Sequence, residues 1–226
     1  MLVWERLFNS SIYTYAMKTR LVFLGPPGAG KGTQAIVIAK KYHLARIATG
    51  DILRDAIGKG SALGLKAKEF MDRGDLVPDD VVNAILRDRI HNTPDGFIID
   101  GYPRTIEQAD FLQSVTEIQR VIYFDAPEEL LVQRIVNRRV CPVCNAVYNK
   151  LENPPVVEGK CDLDGAELVH RTDDIEEVTK ERIKTFWQKT APLVDYYFHK
   201  GLLAKISAER KVDDVTAEIE FAIQTE

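Results

Sequence analysis

Residues 20–34 read RLVFLGPPGAGKGTQ. The apolar run 21–24 breaks at Gly25, four more glycines and prolines fall in the next five positions, Lys31 follows, and a helix-compatible stretch covers 33–42. Strand, glycine-rich turn and helix is the setting in which a GxxxxGK spacing specifies a phosphate-binding loop. Backbone N–H groups must turn inward onto phosphate oxygens, and a Cβ would obstruct them. Lys31 sets a cation against the β- and γ-phosphates, and the helix N-terminus adds its dipole. Gly28, Ala29, Gly30, Lys31, Gly32 and Thr33 are the candidate phosphate ligands on this reading. Gly32 stands where many such loops carry Ser or Thr, and the hydroxyl comes one place later at Thr33. The pattern alone therefore does not put a hydroxyl on a magnesium ion.

The bulk of the chain bounds what surrounds this loop. At 226 residues it can hold one sizeable core with small inserted lobes. Thirty Lys and Arg against 34 Asp and Glu give a net charge of −4, which argues against a nucleic-acid-binding surface. No apolar run reaches the roughly 18 residues that would span a membrane. The three cysteines are odd in number and fall between positions 141 and 161, so a secreted disulfide framework is not expected. A soluble, cytoplasmic protein of a reducing compartment is expected. Residues 1–16, MLVWERLFNSSIYTYA, lack a signal-peptide core and are poor in Arg. They read as an extension ahead of Met17.

Strands and helices alternate along the rest. In IATGDILRDAIGKG, Thr49 or Asp51 suits a helix cap, with Ile52, Leu53 and Ile57 inward; read alone, Arg54 is a solvated charge. A second helix is expected over 62–71, stopping at Gly74. Pro78-Asp79-Asp80 signals another start, because proline tolerates the first turn and carboxylates favour its positive end. Phe97 to Ile99 reads as a buried strand with Asp100 at its C-terminal end, where open α/β sheets place ligands. A helix is expected over 105–114 and a strand over 121–125. The next helix starts at Pro127, and Arg134, Arg138 and Arg139 crowd its C-terminal half. A helix opening near Asp173–Glu177 carries Ile183, Phe186 and Trp187. The last strand is expected over 202–206, before an amphipathic helix with Val215, Ile219 and Phe221. This alternation specifies a three-layer α/β/α core with a mostly parallel sheet, interrupted at about 47–76 and 138–174.

The second interruption has its own chemistry: Cys141-Pro-Val-Cys144, sixteen residues, then Cys161-Asp-Leu-Asp164. A CxxC with a distant second pair is the spacing of a structural zinc site, here with a carboxylate in the fourth position. Three unrelated thiols or a redox CxxC are the alternatives. All the cysteines fall on the pattern, which favours metal; His170 is a second candidate for the fourth ligand.

From Met17 onward the chain resembles the adenylate kinases, in a long-lid form with a Cys₃Asp zinc lid. The blocks that carry the resemblance are GPPGAGKGTQ, TGDILR, GDLVPDD, GFIIDGYPRTIEQA, FDAPEELLVQRIVNRR and the RTDD of 171–174, in family order. The resemblance implies a phosphate-loop core (17–46, 77–137, 175–226), a small helical AMP-binding lobe (47–76) and a lid (138–174). It implies reversible phosphoryl transfer from Mg²⁺·ATP to AMP, giving two ADP, by an expected monomer without nucleic-acid or membrane partners. Catalytic residues by similarity are Lys31, Arg104, Arg138, Arg171 and Arg182. Arg54 and Arg104 would hold the AMP phosphate, with Arg171 and Arg182 reaching it as well. Arg138 would close on the transferring group, Arg134 would lie against the ATP adenine, and Asp100 would orient waters around Mg²⁺. Thr49 and Gln108 would read adenine in the AMP site, with Gly101 allowing close approach and Val77 offering its carbonyl. Structural Zn²⁺ would sit on Cys141, Cys144, Cys161 and Asp164. Many relatives carry an Asp-Gly turn where this chain has ISAER at 206–210, so the donor-base contact there, and ATP over GTP, is left open. Other nucleoside monophosphate kinases (GTP:AMP or UMP/CMP enzymes) and a non-catalytic nucleotide-binding module are the alternatives.

Overall fold

The computed structural model describes residues 17–93 and 95–225; the reading of residues 1–16 lies outside the described residues. The strands are β1 (Arg20–Leu24), β2 (Ala45–Ala48), β3 (Phe97–Asp100), β4 (Arg120–Asp125), β5 (Arg138–Val140), β6 (Val147–Asn149) and β7 (Leu203–Ser207). All but β5 and β6 form one parallel sheet in the order β2–β3–β1–β4–β7. The helices are α1 (Lys31–Tyr42), α2 (Thr49–Gly58), α3 (Ala62–Met71), α4 (Asp79–His91) and α5 (Ile106–Val115). They continue as α6 (Glu128–Val136), α7 (Glu176–Thr185), α8 (Pro192–His199) and α9 (Val212–Gln224).

The sheet is buried on both faces, and successive residues divide between the two. Val22, Leu24, Phe97, Ile99, Val121 and Tyr123 join one core with α4, α5 and α8. Leu21, Phe23, Ile98, Ile122 and Phe124 join the other with α1, α6 and α9. That is the three-layer α/β/α arrangement expected. The chain leaves β1 with β3 on one side and β4 on the other, so the sheet's switch point lies at the C-terminal end of β1, where a ligand crevice opens.

The helix signals hold with small shifts. Pro78 and Pro127 are the N-cap residues of α4 and α6, each followed by two acidic residues in the first turn. Thr105 caps α5 by accepting the Gln108 N–H at 3.2 Å. Other expectations are corrected. Thr49 opens α2 after an Ala48 N-cap with no side-chain bond, so neither it nor Asp51 is the cap. Helix α6 ends at Val136, and Arg138 and Arg139 belong to β5. The aromatic run after α7 contains a π-helical turn, Phe186–Thr190, in which the Ala191 N–H reaches back to the Phe186 carbonyl at 2.8 Å. Pro192, next in line, lacks an N–H to continue regular pairing, and the wide turn accommodates it. Phe221 is 71% exposed and Trp187 45%, so neither is a core residue.

Candidate functional site

The phosphate loop takes its shape from two collisions avoided. At Gly25 (φ 148°) a Cβ would stand 2.7 Å from the Phe124 carbonyl oxygen, and at Gly28 (φ 87°) 2.6 Å from that of Leu131. Only glycine lets the chain leave β1 between β4 and α6 there. Gly30 (φ 85°) differs: nothing lies within 4 Å of its missing Cβ, and it is the N-cap of α1, so the loop opens there toward the crevice. Lys31 folds back over the loop, its Nζ donating to the Gly25 and Pro26 carbonyls at 2.7 Å each.

Around Lys31 the structure gathers arginines from distant segments. Arg104 Nε donates to the Gly101 carbonyl at 2.8 Å. Arg138 pairs with the fully buried Asp174 carboxylate, its Nε at 2.8 Å. Arg182 lies 3.0 Å from Asp173 and 3.2 Å from Asp174, and Arg171 3.3 Å from Asp51. Arg54 touches Asp51 at 2.7 Å and Asp173 at 3.7 Å, so it is an ion-pair member and not the solvated charge that its local sequence suggests. Burial pushes Lys31 down to about 8, with Arg104, Arg182 and Arg138 adding to the fall against the opposing pull of Asp100. Arg104 falls to about 10 and Arg171 to about 9, again mainly through burial with neighbouring cations adding to it. Cations so crowded that they depress one another are stabilised by a polyanion among them.

One cavity of about 710 Å³ runs through this cluster. At one end Arg134 donates to the Ala208 carbonyl at 2.7 Å and pairs with Glu152 at 2.9 Å, with Ala208, Glu209 and Arg210 alongside. At the other end stand Thr49, Val77, Gly101 and Gln108. Thr49 donates to the Gly101 carbonyl at 3.0 Å. The Gln108 amide accepts the Arg104 main-chain N–H at 2.7 Å and donates to Asp79 at 2.6 Å. Those bonds leave one amide N–H and one lone pair on the oxygen. A single cavity with a distinct polar set at each end and cations between them suits two ligands meeting phosphate to phosphate.

The family model described as adenylate kinase matches residues 23–202. Curated relatives named adenylate kinase agree along nearly their whole lengths. The protein from Petrotoga mobilis is 47% identical over 88% of this chain and 95% of its own. That from Listeria monocytogenes is 45% identical over 89% and 97%, and that from Archaeoglobus fulgidus 47% over 90% and 97%. The chain belongs to the adenylate kinase family.

Kinases of this family use Mg²⁺ with ATP, and the donor chemistry here fits it. The Asp100 carboxylate lies against the phosphate loop, 3.3 Å from where a Cβ on Gly32 would stand. Hard oxygen ligands beside phosphate are what Mg²⁺ takes. The same contact explains Gly32, since a larger residue there would crowd Asp100.

A candidate metal centre over residues 141–164 is built from two copies of one turn. In each, the first residue's N–H bonds the carbonyl five positions on: Cys141 to Ala146 at 2.9 Å and Cys161 to Ala166 at 2.8 Å. In each, the fifth residue has positive φ, Asn145 at 61° and Gly165 at 73°. Asp164 thus holds in its turn the place Cys144 holds in the first. The four ligand atoms lie within 4.8 Å of one another, and His170 is not among them. Cys144 Sγ and Cys161 Sγ are 3.5 Å apart, far beyond a disulfide bond and close to the roughly 3.8 Å that two sulfurs on tetrahedral zinc would show. The set fits structural zinc. The Tyr148 hydroxyl, 3.4 Å from Cys161 Sγ, accepts the Asp162 N–H at 2.8 Å and braces the second turn.

Sequence reading did not single out the carboxylates Asp51, Asp79, Asp173 and Asp174, or Arg46. Asp51, Asp79 and the 173–174 pair were visible as helix-start signals and within the family blocks, without a role, and Arg46 was not read at all.

Proposed function

We propose that the chain catalyses reversible phosphoryl transfer between Mg²⁺·ATP and AMP, giving two ADP. An AMP phosphate oxygen bonds to the γ-phosphorus as the bond to the β–γ bridging oxygen breaks, and the electron pair stays with the departing ADP. Lys31 and the N–H groups of residues 28–33 hold the donor phosphates, with Asp100 orienting water on the cation. When bound, Mg²⁺ neutralises phosphate charge. Arg54 and Arg104 hold the AMP phosphate, and Arg138, Arg171 and Arg182 gather around the moving group, where their forks bind phosphate oxygens bidentately. Arg134 covers the donor base. Thr49, Gln108 and the Val77 carbonyl read the acceptor adenine beside Gly101.

The observation that carries this reading is the depressed cation cluster midway along a cavity with two polar ends. A single-nucleotide switch has no use for arginines on the far side of Lys31. Residues 47–76 act as an acceptor lobe and 138–174 as a lid; closing both keeps water from the phosphoryl group. The protein works as a cytoplasmic monomer without nucleic-acid or membrane partners. The test is kcat/KM for AMP, GMP, CMP and UMP with ATP. A pocket that hydrogen-bonds its base rejects mismatched edges by orders of magnitude. AMP should therefore dominate, and comparable values for UMP would overturn the acceptor assignment.

A further inference from the structure

Arg46 lines the same cavity, and the phosphoryl-transfer reading gives it no task. It sits in β2 opposite Ile98 of β3. Its Nη2 lies 2.8 Å from Asp51 Oδ2 and donates to Asp100 Oδ2 at 3.3 Å, so one nitrogen joins the acceptor lobe's carboxylate to the one at the end of β3. A Cβ on Gly32 would stand 3.5 Å from that nitrogen, which places the guanidinium against the phosphate loop. Its Nε is buried with no hydrogen-bond partner among the described residues. A strand arginine with an unmatched buried donor is poorly explained by stability alone, because that donor's desolvation is uncompensated.

Asp51 and Asp100 share Arg46, the cation that touches both, while Arg54 and Arg171 pair with Asp51 without a bond to Asp100; Asp100 is the candidate magnesium-water ligand. Two carboxylates beside a phosphate loop would attract a hard dication whether or not a nucleotide were present. A guanidinium between them places a delocalised positive charge against both carboxylates. At these separations its repulsion of a dication is large compared with thermal energy, even with substantial screening. Nucleotide phosphates bring several negative charges to the same edge and reverse the balance.

We propose that Arg46 is a positioning residue that holds Asp51 and Asp100 together and keeps them from binding a divalent cation on their own, so that the cation enters only with the nucleotide. The inference rests on the phosphoryl-transfer reading for the cation's arrival with ATP, but its test needs no turnover.

Zinc-loaded protein without nucleotide is titrated with Mn²⁺, and free Mn²⁺ is read by electron paramagnetic resonance. Wild type and Arg46→Lys should bind Mn²⁺ weakly alone and tightly once ATP is added. Arg46→Gln should gain one nucleotide-free site at least about tenfold tighter than wild type. Arg46→Lys keeps the charge and changes the shape, so its agreement with wild type separates charge from packing. Tight, stoichiometric Mn²⁺ binding by nucleotide-free wild type would overturn the proposal, whatever the folding of the variants. So would equal nucleotide-free affinities in wild type and Arg46→Gln, or an Arg46→Lys that behaves like Arg46→Gln. Loss of kinase activity with these Mn²⁺ results intact would count against the proposed reaction and not against the role of Arg46.

Discussion

Lys31 is the cation the phosphate loop folds around. Its ammonium is held near a pKa of about 8 by burial among arginines, and phosphates bound beside it would favour the charged form. The sign follows: the free protein has partly lost this proton above pH 8, so ATP binding at pH 9 must take a proton up, and affinity falls as pH rises through that range. Calorimetry in two buffers of different ionisation enthalpy at pH 9 should show net proton uptake; none would mean Lys31 does not meet phosphate. Lys31→Met keeps most of the stem and removes the charge, so turnover should fall by orders of magnitude with the fold retained. Gln108 is a different kind of residue. Gln108→Ala strips a partner from the Arg104 main chain and from Asp79, and an unpaired buried group costs about 1–3 kcal/mol. Its melting temperature should drop together with its affinity for AMP. A drop in AMP affinity without any loss of stability would show that the two protein bonds matter less than the amide's free edge.

At the scale of elements, residues 138–174, the proposed lid, show what a metal would do for a segment too small to bury a core. Its cluster is only Cys141, Tyr148 and Cys161 with a few partly buried neighbours, whereas Val143, Val156 and Leu163 are exposed. Zinc binding would therefore supply that segment's folding energy. Stripping zinc with a chelator and a thiol reagent should lower the melting temperature substantially and leave much of the turnover well below it, because Arg138 and Arg171 stay in place. Asp164→Ala should release zinc and Asp164→Cys retain it; equal zinc content in Asp164→Ala and wild type would remove Asp164 from the ligand set. At the lid's root, Asp174 is buried against Arg138 and Arg182. Burial opposes its ionisation, but those arginines and Arg171 outweigh it and hold the carboxyl below its usual value. A depressed carboxylate stabilises the fold above the unfolded pKa near 4, and that contribution fades as pH drops through the lower folded value. Asp174→Asn leaves two arginines short of a counter-charge. It should cost about 3–5 kcal/mol at pH 7 and flatten the acid limb of stability; an unchanged melting temperature would contradict that.

Across the whole molecule, what was legible in the sequence was whatever is local. Pro78 with two aspartates, Thr105 ahead of Gln108, and the glycines of the loop each act on their own neighbours, so α4, α5 and the phosphate loop could be read directly. Strand β2 could not, because a four-residue edge strand reading ARIA has one strongly β-favouring residue, Ile47, and is defined by pairing with β3. The arginines were legible by resemblance, but their partners were not. Asp51 meets Arg171, and Arg54 meets Asp173, only after the chain has folded residues 47–76 against residues 138–174. Those contacts tie the two interruptions of the core to each other across the cavity, and they involve the same arginines assigned to phosphate.

If this cavity joins two nucleotides and moves a phosphoryl group between them, ADP and Mg²⁺ suffice as substrates for the reverse reaction. The most direct measurement gives the protein ADP and Mg²⁺ alone and follows all phosphorus species by ³¹P magnetic resonance. Equal amounts of ATP and AMP should appear with no inorganic phosphate, and Arg104→Ala should suppress both together. Inorganic phosphate released in step with ADP loss, or ADP left unchanged by a folded, zinc-loaded protein, would contradict the account.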